Sequence, residues 1–289
     1  MTEPDIGPRI FNQELKLRVI SALVMAALVL WITWIGGMTF VLLWAVLAIA
    51  ILFEYTRICK AVLSGIMIGA EYAALFLVIS AWISGSQSLA FWIAGTSAAV
   101  FLIWELVNRH TAWMCLGFVY SVLPFFAMSE LRGGELLGFL LIIMLFACVW
   151  GADIFAYFFG KGFGGPKLAP RISPKKTWSG FVGGLLGAVG LTYVVTKIAG
   201  YEYTILLTGL VLFLAIASQI GDLLESVLKR VFDVKDSGTI IPGHGGVLDR
   251  IDGLIIAGVL LWAILTFMAF QDSSDKNLGI LFESAFLAP

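Results

Sequence analysis

The chain is 289 residues long, 60% hydrophobic and only 13% charged, with a mean hydropathy of +0.99 and a formal net charge of −1. A soluble globular domain carries about 25% charged residues, so the composition excludes that class and places the chain in a bilayer. The near-neutral charge offers no long-range attraction to nucleic acid, and no nucleic-acid partner is expected.

Apolar runs that can cross the hydrocarbon core lie at Val19–Ile35, Met38–Phe53, Ile66–Ile83, Leu89–Val107, Trp113–Met128, Leu136–Phe155, Phe181–Ala199, Thr204–Ile220 and Leu254–Phe270. The second is short, and around Gly65 a re-entrant connection fits as well as a simple turn. No A-x-A cleavage pattern follows the first run, so it is expected to be retained. With the N-terminus inside, all of the 18 basic residues except Arg132, Lys197 and Lys276 fall on the cytoplasmic side, as the positive-inside rule requires. Glu54, Glu71 and Glu105 flank the early runs without forming a cluster and read as scaffold. Cys59, Cys115 and Cys148 lack ligand spacing and are expected to be structural thiols. His110, at a span end, reads as interfacial.

The connection after the sixth run reads GADIFAYFFGKGFGGPKLAPRISPKKTWSGF, Gly151 to Phe181. Asp153 sits in an apolar helix, where an ionisable side chain is costly unless paired or coordinated, so a functional role is expected. The alternative is a polar clasp to Tyr157 or to a serine on another span. Lys161, Lys167, Arg171, Lys175 and Lys176 follow among glycines, and positive charge beside exposed amides suits a triphosphate or a lipid phosphate. A loop that merely meets anionic headgroups would look the same by charge alone. Gly160 to Lys167 lacks the Gly-Lys-Ser/Thr ending of a Walker A loop. Small residues from Gly180 to Gly190 predict close helix packing.

Before the last run, the periodicity predicts a helix from about Ser218 to Asp233. Ser218, Asp222, Glu225, Ser226, Lys229, Arg230 and Asp233 share one face of it, and Leu223, Leu224, Val227, Leu228, Val231 and Phe232 line the other. Lys235-Asp236-Ser237-Gly238 and Pro242-Gly243-His244-Gly245-Gly246 break the helix. Asp249, Arg250 and Asp252 then open the next one, near the positive end of its dipole. An interfacial amphipathic helix with a plain cytoplasmic loop is the bland alternative. Aspartates both on the face and across the loop favour a site that holds metal ions against phosphates.

The spacing S-x-x-K-R-x4-K-D-x-G, Ser226 to Gly238, and H-G-G-x-x-D-R-x-D, His244 to Asp252, resembles the signature of the phosphatidate cytidylyltransferases. The run Ile172-Ser173-Pro174-Lys175-Lys176-Thr177-Trp178 is similar to a second segment of that family, and Asp153-x-x-Ala156-Tyr157-x-x-Gly160 to a third. The family commonly continues Thr-Trp with Glu-Gly, whereas this chain has Ser179-Gly180, so any role of that glutamate passes elsewhere. The specific likeness covers about a third of the chain, Asp153 to Asp252.

The apolar runs and the basic-residue bias predict an all-α integral membrane protein of about nine transmembrane helices, and with the resemblance they predict a cytoplasm-facing active-site cavity formed by the C-terminal half. Residues 1–135 are expected to form a transmembrane scaffold bundle that gives lipid access and could offer a homodimer surface, and 136–289 the catalytic region that carries both charged loops. The resemblance implies transfer of a cytidylyl group from CTP to phosphatidate in the bacterial inner membrane, with Mg²⁺ as cofactor and a monovalent cation such as K⁺ beside it. Asp222 and Asp249 are the expected metal ligands, with Asp153, Glu225 and Asp252 as second choices. Lys229, Arg230, Lys235, Asp236 and Arg250 are expected to serve catalysis; Ser173, Lys175, Lys176, Ser226, His244, Gly245 and Gly246 are expected to bind substrate phosphates. A CTP-dependent polyprenol or phytol kinase is the nearest alternative and a transporter with a midplane ion site the more distant one.

Overall fold

The computed structural model describes residues 7–109, 111–238, 240–241, 245–272 and 277–288. Helix dominates, because only a helix satisfies every backbone donor and acceptor within one segment crossing hydrocarbon. In chain order the helices are α1 (Gly7–Ile35), α2 (Gly37–Ile58), α3 (Gly65–Ile83), α4 (Gln87–Val107), α5 (Trp113–Arg132), α6 (Leu136–Phe163), α7 (Trp178–Ile198), α8 (Ile205–Val231), α9 (Leu248–Asp272) and α10 (Leu278–Phe286). Among the described residues, eight of these, α2 to α9, are long and apolar enough to cross a membrane. The expected first span falls in α1, whose described apolar part, Ile20–Ile35, is shorter than the others.

Several helices outrun the apolar runs that announced them. Helix α6 continues past Phe155 to Phe163 and α8 past Ile220 to Val231, so the polar face expected on a separate helix forms the last turns of a spanning one. Hydropathy drops there, but no proline interrupts the hydrogen-bond ladder. Gly164 at φ +62 ends α6, and Asp233 takes the left-handed conformation after α8. The connection near Gly65 is no re-entrant loop: a 3₁₀ turn at Cys59–Ala61 precedes Ser64, whose Oγ accepts the Met67 N–H at 3.3 Å and caps α3.

The basic connection after α6 contains a short hairpin, β1 (Lys167–Ala169) against β2 (Ser173–Thr177), with Lys167 opposite Thr177 and Ala169 opposite Ser173. At another connection β3 (Glu202–Tyr203) pairs antiparallel with β4 (Leu287–Ala288), tying the end of α10 to the start of α8.

Among the candidate spans α5 is the most enclosed and α4 the most exposed, with 67% and 22% of their apolar windows buried, so α5 is the central post and α4 lies at the periphery. The glycine stripe of α7 packs on α6 as its spacing predicts. A Cβ at Gly184 would lie 2.9 Å from the Ala152 carbonyl oxygen, which leaves no room for a larger residue. The same device joins α8 to α9, where a Cβ at Gly221 would lie 2.7 Å from the Asp252 carbonyl oxygen. That close approach sets Asp222 beside Asp252. The buried Arg132 donates to the Thr33 carbonyl at 2.7 Å and the Trp34 carbonyl at 3.2 Å, stapling the α1–α2 corner to the end of α5. A cavity of about 250 Å³ bordered by Leu63, Met67, Glu105, Arg109 and Trp113 lies among α3, α4 and α5.

Candidate active site

Much of the polar face of α8 turns inward, with Ser218 buried and Ser226 and Lys229 half-buried, while Arg230 and Asp233 at its end are exposed. Glu225 is buried, and Leu224 and Val231 on the other face are exposed, an arrangement suited to lipid outside and charge inside. Glu225 Oε2 pairs with Lys229 Nζ at 3.0 Å, and the same ammonium pairs with Asp249 Oδ1 at 2.6 Å. Lys229 therefore bridges α8 to the first turn of α9. Glu225 Oε1 is buried without a hydrogen-bond donor among the described residues. Glu225 also feels the charges of Asp252 and Asp249. Ser226 Oγ approaches Asp222 Oδ1 at 3.5 Å, a distance too long for much energy.

The two charged segments of the sequence meet through Lys176. Its ammonium lies 2.8 Å from Asp222 Oδ2 and 3.3 Å from the Gln219 carbonyl oxygen, fixing strand β2 against α8. Arg230 Nε reaches the Ile172 carbonyl at 3.4 Å from the same helix. Asp153 of α6 completes the approach, being within electrostatic reach of Asp252, Asp222, Lys176 and Arg250.

Asp249 is the centre of the glycine loop. Its Oδ2 accepts the Ser237 N–H at 3.1 Å, the Ser237 hydroxyl at 2.8 Å and the Gly246 N–H at 3.0 Å. Gly245, at a φ of +90 that suits glycine, exchanges backbone hydrogen bonds with Ile241 at 3.0 and 3.2 Å. His244, expected to touch phosphate, lies outside the described residues, as does His110.

The start of α9 is held from the far end of the sequence. Glu54 of α2, fully buried, accepts the Val247 N–H at 2.9 Å and the Leu248 N–H at 2.8 Å, and Ser237 Oγ lies 3.1 Å from it. The scaffold reading of Glu54 missed this contact. An acidic residue directly at the end of an apolar run was the available signal, but its partners lie more than 180 residues away.

The chain matches the cytidylyltransferase family over residues 16–268. It belongs to that family. It is 38% identical over 273 residues to a phosphatidate cytidylyltransferase of Brucella abortus, covering 90% of this chain and 96% of that one. A phosphatidate cytidylyltransferase of Bacillus subtilis is 32% identical over 268 residues, covering 87% and 98%. One of Rickettsia felis is 48% identical over 132 residues, covering 43% and 58%.

Within this family member the structure gathers Lys176, Asp222, Glu225, Lys229, Asp249 and Asp252 into one cluster, with Asp153 at its edge. Lys175, which precedes Lys176, and Lys235 and Asp236, which precede Ser237, are exposed, Arg250 is exposed on the first turn of α9, and Ser173 is half-buried in the hairpin. Ser179, standing where the family commonly has glutamate, donates to the Gly164 carbonyl and lies 3.1 Å from Thr177 Oγ1. Thr177 Oγ1 also accepts the Gly180 N–H at 3.1 Å and caps α7. Ser179→Ala leaves that cap in place and is expected to keep turnover within about twofold of wild type. Lys175→Ala and Lys176→Ala should each lower kcat/KM for CTP about tenfold or more, since a charge-assisted contact contributes about 1.5–3 kcal/mol. Steady-state rates with CTP and phosphatidate varied separately check this. A collapse at Ser179→Ala with both lysine variants intact would reverse the roles assigned to this connection.

Proposed function

We infer that the chain transfers the cytidylyl group of CTP to phosphatidate, giving CDP-diacylglycerol and pyrophosphate. The observation that carries the reading is the Lys176–Asp222 contact, which joins the two motif-bearing segments of a cytidylyltransferase at one cluster. Attack of a phosphate monoester on the α-phosphorus brings two anions together and expels a third, so neutralisation and in-line positioning are the main requirements. No protein nucleophile is needed, because phosphatidate supplies its own oxygen. Lys175, Lys176, Lys235 and Arg250 are the proposed phosphate-binding cations, and Lys229 pairs with both Asp249 and Glu225.

The carboxylates suit a hard divalent cation by their chemistry. Asp222 and Asp249 are the proposed Mg²⁺ ligands, with Glu225, Asp252 and Asp153 as further donors, and the donorless Glu225 Oε1 supports that fit. No preassembled group of three acidic, histidine or cysteine ligands is present among the described residues. Lys176 and Lys229 instead balance the carboxylates. Mg²⁺ bound there would supply charge neutralisation and align the attacking and leaving oxygens.

The test is purified protein in detergent with CTP, phosphatidate and Mg²⁺. Pyrophosphate and a cytidylylated lipid are expected; CDP and a phosphorylated lipid would instead mark the CTP-dependent kinase reaction.

We place the site on the cytoplasmic face of the bacterial inner membrane, because CTP is there and the basic residues segregate accordingly. Arg171, in the turn of the hairpin, and Ile240, in the connection before α9, are both exposed. Cysteines substituted there in a cysteine-free background should resist a membrane-impermeant thiol reagent in intact cells and react in inverted vesicles. Labelling from outside intact cells would overturn the orientation.

A further inference from the structure

We propose that Glu54 is a positioning residue for the reaction, a buried template on which the glycine loop and the first turn of α9 are moulded. The inference rests on the activity inferred above and adds a residue from α2 to its machinery. A carboxylate on a spanning helix with 0% exposure is costly unless donors surround it. Among the described residues, every donor to it comes from the loop and from the start of α9. Oε1 takes the Val247 N–H, and Oε2 takes the Leu248 N–H and faces the Ser237 hydroxyl. Two of those are backbone amides at the helix start, which have no partner within the helix itself and face an anion favourably. Fixing them fixes Asp249 one residue later and Asp252 one turn later.

The contact extends beyond a helix cap. Ser237 Oγ lies 3.1 Å from Glu54 Oε2 and 2.8 Å from Asp249 Oδ2, so its single hydrogen is shared between the template and the candidate ligand. The loop glycines are shaped to the same group: a Cβ at Gly246 would lie 2.6 Å from Glu54 Oε2, and one at Gly238 would overlap the carboxylate. Two glycines of the signature thus have a stated reason to be glycine. Glu105 provides an internal comparison. It too is buried and takes two helix-starting amides, Met114 N–H at 2.7 Å and Cys115 N–H at 3.0 Å, but among the described residues it makes no hydrogen bond to the cluster.

Glu54→Gln puts an amide N–H₂ where one oxygen accepted, leaving two donors facing each other. Glu54→Asp keeps the charge but withdraws it by one methylene. Full-length variants in detergent are compared per mole of monodisperse protein, with Glu105→Gln as control. Glu54→Gln is expected to lower kcat about tenfold to a hundredfold with KM for CTP changed less, and Glu54→Asp to recover part of the loss. Glu105→Gln should stay within about twofold. A second readout needs no activity: thiol labelling of Ile240→Cys in a cysteine-free background should quicken about threefold or more when Glu54 is Gln. Unchanged kcat, unchanged labelling, or an equal kcat loss in Glu105→Gln would each overturn the proposal. If Glu54→Gln does not accumulate, Glu54→Asp carries the same comparison. Wild-type protein inactive on CTP and phosphatidate, with labelling still quickened by Glu54→Gln, would sink the inferred reaction and leave the template standing.

Discussion

Asp222→Asn is expected to lower turnover by about a thousandfold or more, equivalent to ~4 kcal/mol in the barrier, while leaving the protein folded. The two halves of that expectation have different physical origins. The Lys176–Asp222 pair is partly open to solvent, with side-chain exposures of 21% and 41%, and pairs of this kind contribute only about 0–1 kcal/mol to stability. Loss of the carboxylate therefore costs little in folding. Its proposed role with Mg²⁺ and its hold on Lys176 are both lost to a neutral amide, so the cost falls on the reaction. Initial rates at saturating substrates and Mg²⁺, set beside a thermal melt of the same preparation, separate the two. A variant with near-normal turnover would remove Asp222 from the site.

Asp249→Asn should reduce turnover about a hundredfold, ~2.7 kcal/mol, and should also lower thermal stability, which sets it apart from Asp222→Asn. Asp249 accepts from Lys229 on one oxygen and from three loop donors on the other. An asparagine at this position offers one accepting oxygen and one donating nitrogen, so either the ammonium or the loop loses its partner. Each broken charge-assisted bond costs about 1.5–3 kcal/mol. Paired melts and rates would contradict this picture if turnover fell with no loss of stability, since the loop contacts would then be dispensable to the fold.

The face of α8 was legible because helical period is local. Asp222, Glu225, Ser226 and Lys229 recur at steps of three and four, and the structure turns that face inward. The glycine packing of α7 was legible for the same reason. Helix limits were less so, because hydropathy reports where lipid ends, whereas α6 and α8 continue until Gly164 and Asp233 change the backbone. The hairpin of residues 167–177 gave little sign, since its strands are short, basic and broken by Pro170 and Pro174.

What lay beyond sequence reasoning was tertiary pairing. Nothing in the spacing says that Lys176 meets Asp222, that Asp249 spends one oxygen on Ser237 and Gly246, or that Glu54 receives the start of α9. Those contacts depend on which helices approach, and that depends on seams such as Gly221 against Asp252. A buried carboxylate at the end of an apolar run signals that a partner exists without saying which one.

The position of label in the lipid product tests the central claim most directly. Purified protein, phosphatidate and Mg²⁺ are incubated with CTP carrying radioactive phosphorus at either the α or the γ position, and the organic phase is counted. Cytidylyl transfer at the cluster of α8, α9 and the hairpin predicts lipid label from the α position alone, release of γ label as pyrophosphate, and loss of both in Asp222→Asn. Lipid label from the γ position, or α label undiminished in Asp222→Asn, would contradict the account.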